Sequence, residues 1–174
     1  VITTSAGVMR AQGHTRGAEP LLRRADAWCR ARPERERNEV LTREPCERGW
    51  IMAGRFADAD SVVTILAREF PDSARFRSEV GVLAALRGDR ATAETVEREL
   101  AAIPRPPLVR DVLNDPPYVR ARIAAALGDA PTAVKLLRDA GAEGVGMAFL
   151  VEQDPAFDPI RHSAPLRELF TPQQ

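Results

Sequence analysis

The chain has 174 residues, with 25 basic and 25 acidic side chains and a formal net charge of zero. That length allows one domain with a sizeable core. The charge balance weighs against nucleic-acid binding, whose affinity comes from a basic excess neutralising phosphates. Aromatic residues are scarce at 5%, and alanine and leucine dominate the apolar set, which favours close helix packing. The alternating β-branched runs that announce strands are missing from the sequence. No run of about 18 apolar residues is long enough to span a membrane, while peripheral association with a membrane complex stays open.

Residues 1–17 carry three glycines and no periodicity, and read as an irregular lead-in. Helical spacing begins at Ala18 and runs through Leu21, Leu22, Ala25, Trp28 and Cys29, with Pro20 expected in the first turn and Pro33 as the stop. The mixed-charge run at 30–37 reads as a solvated helix end. A second helix is expected over 38–53, bent at Pro45. A third is expected over 57–70, with the stripe Ala59, Val62, Val63, Leu66 and Phe70 and with Pro71 after it. The stretch 76–103 reads as two amphipathic helices joined by the turn Arg87-Gly88-Asp89-Arg90, with Asp89 as N-cap of the second. Residues 104–117 hold five of the fourteen prolines and read as a loop or crossing with a short turn at 108–113. Helices follow over 118–127 and 131–140, the latter capped by Asp129. A weaker helix is expected over 147–153, and a short one over 165–170 to seal the core.

Chemical motifs are sparse. Cys29 and Cys46 lack metal-binding spacing; buried thiols are the plain reading and a bridge between adjacent helices the other. His14 and His162 have no carboxylate or thiol neighbours at ligand spacing, so no metal is expected. Gly144-Val145-Gly146 lacks a phosphate-loop lysine, so no nucleotide cofactor is expected. Arg87-Gly88-Asp89 is explained as an inter-helix turn, and the acids Glu152, Asp154 and Asp158 as turn residues. No nucleophile has a histidine base nearby, so no catalytic residue is assigned and the chain reads as non-enzymatic.

The turn glycines Gly54, Gly88 and Gly128 are 34 and 40 residues apart, and Ala25, Ala59, Ala93 and Ala133 are spaced by 34, 34 and 40. A helix–turn–helix unit of about 34 residues resembles the tetratricopeptide repeat. Gly81 matches its small first-helix position, Trp50 and Phe56 its aromatic positions, and Pro71 its terminal proline. The resemblance covers residues 18–142, leaving 1–17 as lead-in and 143–174 as a C-terminal helix and capping tail. The hairpins and tail also look like C-terminal repeat regions of bacterial signalling proteins such as serine/threonine kinases and adenylate cyclases.

This resemblance implies an all-α, right-handed superhelical array of about eight helices in antiparallel pairs. It places Arg48, Ile51, Met52, Arg75, Glu79, Val82, Tyr118 and Arg122 on a concave partner-binding groove. With three arginines, that groove would be locally basic and would suit an extended, acidic peptide. The expected function is a protein–protein interaction or scaffold module, as a subunit of a larger complex. A regulatory repeat domain of a bacterial kinase, cyclase or transcription regulator is the alternative, and a small helical enzyme ranks last. The sequence begins at Val1 rather than Met and so reads as a trimmed piece. The cytoplasm is slightly favoured, or an extracytoplasmic site if Cys29 and Cys46 are bridged.

Overall fold

A computed structural model describes residues 2–37, 39–105, 111–141 and 145–171. Among the described residues the fold is all-helical, with no strand. The helices are α1 (Ile2–Ala11), α2 (Thr15–Ala31), α3 (Glu34–Arg37), α4 (Val40–Met52), α5 (Phe56–Glu69), α6 (Ala74–Leu86), α7 (Arg90–Ala101), α8 (Pro116–Ala126), α9 (Ala130–Asp139), α10 (Val145–Gln153) and α11 (Ala164–Phe170). Two 3-10 helices, Val112–Asn114 and Pro155–Ile160, flank α8 and precede α11 in the chain. The first overlaps the end of the turn expected at 108–113; residues 106–110 of the proline-rich crossing lie outside the described residues.

Four turns share one construction. Gly13, Gly54, Gly88 and Gly128 take φ of +82°, +71°, +83° and +80°, a region open to glycine without strain. Each ends a helix with the same pair of backbone bonds: Gly88 N–H donates to Ala85 O, and Asp89 N–H reaches back to Ala84 O. The other three turns repeat both bonds at their own positions, satisfying carbonyls that a helix end would otherwise leave open. Asp89 and Asp129 then cap the next helix, accepting from Thr92 N–H and Thr132 N–H at 3.1 Å each. The turns fold α1 on α2, α4 on α5, α6 on α7 and α8 on α9.

Five residues beyond each turn glycine stands an alanine: Ala18, Ala59, Ala93 and Ala133, each 0% exposed. A small buried residue there suits a close crossing of the two helices. This corrects the register at one point. Ala18, not Ala25, is the counterpart of the other three; Ala25 lies on the same buried face two turns later in α2. The lead-in is corrected as well. Residues 1–17 contain α1 and the start of α2, and Gly13 is the first turn. Their Ser, Thr and Gly content hides the pattern, yet Thr3, Ala6 and Gly7 are buried. Since α2 begins at Thr15, Pro20 stands inside the helix rather than in its first turn.

The main core fills the space between α6, α7, α8 and α9, and takes in Ala156, Phe157, Ile160 and Leu166 from the C-terminal segment. Two smaller clusters flank it: Ala6, Ala18, Leu22 and Met52 between α1, α2 and α4, and Ile51, Ala59, Val63 and Leu83 between α4, α5 and α6. Gly81 earns its small size against α8: a Cβ there would lie 2.6 Å from Ile123 Cδ1. The C-terminal segment returns across the earlier helices. Helix α10 packs on α1, the 3-10 helix Pro155–Ile160 packs on α8 and touches α4, and α11 packs on α9. Phe157 is 0% exposed, a burial contributing about 1.5–3 kcal/mol.

Candidate functional site

The eight residues expected on a concave groove divide into two groups. Ile51, Met52 and Val82 are core residues, each in one of the three apolar clusters. Glu79, Tyr118 and Arg122 lie close together, and all three are buried. Arg48 and Arg75 are half-buried. The open basic groove is therefore corrected: Arg122 is enclosed between Glu79 and Asp154, the latter from the C-terminal segment, and Arg75 is paired with Glu44 of α4.

The centre of that covered face is Arg122 on α8. Its guanidinium donates Nη1 to Glu79 Oε1 at 2.8 Å and Nη2 to Glu79 Oε2 at 3.0 Å. Nη1 also donates to Ser78 Oγ at 3.0 Å, and Nε to Asp154 Oδ2 at 2.7 Å. The fork geometry of arginine suits such a pairing with carboxylates. Asp154 spends its other oxygen on Ala156 N–H at 2.9 Å, starting the 3-10 helix. Burial opposes the charge of Arg122, but Asp154 and Glu79 outweigh it and hold the guanidinium pKa well above its usual value. Burial likewise pushes the Asp154 carboxyl up, yet Arg122, Arg48 and the Ala156 N–H bring it below the usual range. Glu47 on α4 goes the other way: burial and the Glu79 charge raise it well above a normal carboxyl. Tyr118 is raised by burial and by the Asp154 charge.

Other arginines are also engaged. Arg75 donates to Glu44 Oε2 at 2.8 Å and lies over the Phe76 ring. Arg161 donates to the carbonyls of Val151, Glu152 and Asp154 at the end of α10, and to Asp158. Asp158 in turn accepts from Arg10 of α1 at 2.8 Å. Sequence reasoning missed Glu47, Ser78 and Asp154 as members of the cluster. The Asp-Pro pair at 154–155 reads as a turn, and nothing local announces that Asp154 meets Arg122.

The accessible apolar surface lies elsewhere. Leu41 at the start of α4 is 85% exposed and Trp28 of α2 is 39% exposed. With Ile2, Ala25, Cys29 and Pro45 they line a cleft of about 340 Å³. A second cleft of about 270 Å³, lined by Arg37, Thr42, Arg43, Trp50, Val62 and Ile65, shares Cys29 with the first. Cys29 and Cys46 form a disulfide between α2 and α4, with Cα atoms 5.9 Å apart; of the two readings left open above, the bridge is the one found. Among the described residues, no group of His, Cys, Asp and Glu is placed to hold a metal ion, and no helix is long and apolar enough to cross a membrane. His14 and His162 are exposed. Comparison with family models, curated proteins and solved structures finds no match for the chain.

Proposed function

We propose that this chain is a protein-interaction module, built as a tetratricopeptide-like array of helical hairpins whose concave side is filled by its own C-terminal segment. The observation that carries the reading is the recurring turn: a positive-φ glycine followed five residues later by a fully buried alanine, in four successive helix pairs. Such a construction spends its sequence on packing between neighbours and leaves recognition to surfaces and edges. Glu79 and Asp154 serve cohesion, because both meet the Arg122 guanidinium inside the protein. The Cys29–Cys46 bridge supports service in an oxidising compartment, where such bonds persist.

The test is capture of a partner by the intact, oxidised chain from a native extract at low salt, with cross-linking and mapping of the linked residues. A partner recovered at constant stoichiometry, cross-linked to the same patch in each repeat, is the expected result. Recovery of none, or only of material lost equally from a charge-matched helical control, would overturn the reading.

A further inference from the structure

The cleft beside the disulfide carries a sharper statement, which rests on the interaction reading above. Its walls come from α1, α2 and α4 through Ile2, Trp28, Leu41 and Pro45, with Cys29 at its floor. An exposed Leu41 and a partly exposed Trp28 facing one recess form an apolar patch that a monomer gains nothing by displaying. The recess is also held in shape. The disulfide ties α2 to α4, and Arg32 lies over the Trp28 ring at 4.7 Å while pairing with Glu36 at 3.3 Å. A site fixed before binding loses less entropy on binding.

The charge around it is one-sided. Residues 23–37 hold six arginines against three acids, in a chain of zero net charge. Of those acids, Asp26 is engaged by Arg30 and Arg55 and by the Trp50 indole, and Glu36 by Arg32. Arg24, Arg35 and Arg37 are exposed. Arg24 lies one helical turn before Trp28, on the same stripe of α2. Glu39 is exposed beside Leu41 and gives the site a direction, with its cationic side along α2.

We propose that this cleft binds an acidic, amphipathic peptide segment of a partner protein, which inserts an apolar side chain between Trp28 and Leu41 and sets a carboxylate against Arg24. A recess with an aromatic wall takes a single anchoring side chain, the arrangement that concentrates binding energy in protein interfaces. A bilayer surface offers no such anchor.

The experiment uses the full oxidised chain and two labelled peptides: one with a Phe-Leu anchor flanked by aspartates, and the same peptide with lysines for the aspartates. Fluorescence anisotropy measures binding, with phosphatidylglycerol and phosphatidylcholine vesicles run in parallel by co-sedimentation. The acidic peptide binds and loses affinity with added salt, while the lysine peptide does not bind. Leu41→Glu and Trp28→Ala each weaken binding by about tenfold or more, and Arg24→Glu weakens it and steepens the preference against acid. Leu41 and Arg24 are exposed, so a native circular-dichroism melt for those two variants confirms that folding is intact. Equal binding of both peptides, binding indifferent to Leu41→Glu, binding by anionic vesicles alone, or no peptide binding would each overturn the proposal. Repeating the extract capture with Leu41→Glu separates the two readings: a partner retained by that variant leaves the interaction module standing and removes this cleft.

Discussion

Replacing Arg122 by methionine isolates what the buried cluster does. The change keeps most of the side-chain volume and deletes four donated hydrogen bonds: two to Glu79, one to Ser78 and one to Asp154. Two buried carboxylates then lose their cation. Removing one partner of a buried ion pair costs about 3–5 kcal/mol, a large share of the roughly 5–15 kcal/mol that holds a domain of this kind. The pH dependence gives the reasoning a second handle. In the native chain the Asp154 pKa is lowered, so its contribution is present above the unfolded value of about 3.9 and is lost as pH falls through the folded one. Without Arg122, burial is opposed only by Arg48 and the Ala156 N–H, so the folded pKa of Asp154 rises from its native position. The stability that Asp154 contributes at neutral pH is correspondingly smaller in the variant, while below both pKa values the difference in its protonation vanishes. The gap between native and variant should therefore be widest near pH 7 and shrink on acidification. Urea unfolding followed by circular dichroism at a series of pH values measures it. Adding Glu79→Gln and Asp154→Asn to the variant should restore much of the loss, since neutral partners no longer need the cation. A loss under about 1 kcal/mol near pH 7, or a gap that does not change with pH, would refute the account.

Reducing the disulfide, or replacing Cys46 by serine, should lower stability by about 3 kcal/mol, the loop-closure value for a separation of this length; the bridge joins residues 17 apart. Denaturation with and without reductant measures it, and thiol titration of the unfolded, unreduced chain should find no free cysteine. Gly81→Ala should cost about 1–3 kcal/mol by overpacking, because the new methyl meets Ile123 Cδ1 at 2.6 Å and Val96 Cγ1 at 3.1 Å. Adding Ile123→Val should return part of that loss, read from thermal melts of the single and double variants.

What could be read from the sequence followed local rules. The turns at Gly88 and Gly128 were legible because a turn glycine and an N-capping Asp act within a few residues of themselves, and the turn at Gly54 by its spacing of 34 residues from Gly88. Helices α5, α6, α7, α8 and α9 fall within a few residues of the expected spans, since their apolar stripes and prolines bound them. Helix α1 was not legible: Ile2–Ala11 mixes Thr, Ser and Gly at buried positions, where small size matters more than hydrophobicity. A cap-less turn at Gly13, followed by His14 rather than Asp, removed the other cue. The repeat resemblance puts Glu79, Tyr118 and Arg122 on one face, and nothing in it announces the cover over them. That cover depends on where residues 145–170 return in space, and the partners Arg122 and Asp154 are 32 residues apart. No local pattern encodes such a meeting.

The contact between α1 and α10 changes how the molecule comes apart. A stack of hairpins in which each touches only its neighbours unravels unit by unit, each with its own stability. Here a Cβ at Gly7 would lie 2.6 Å from the carbonyl oxygen of Gln153, and Arg10 reaches Asp158 across 148 positions of sequence. Closing so long a loop slows folding, because the entropy of closure comes before the contacts that reward it. Once closed, neither flank of the stack is free to fray alone. Unfolding becomes a single cooperative event, and the slowest amide exchange should extend into α1 rather than be confined to α6 and α8.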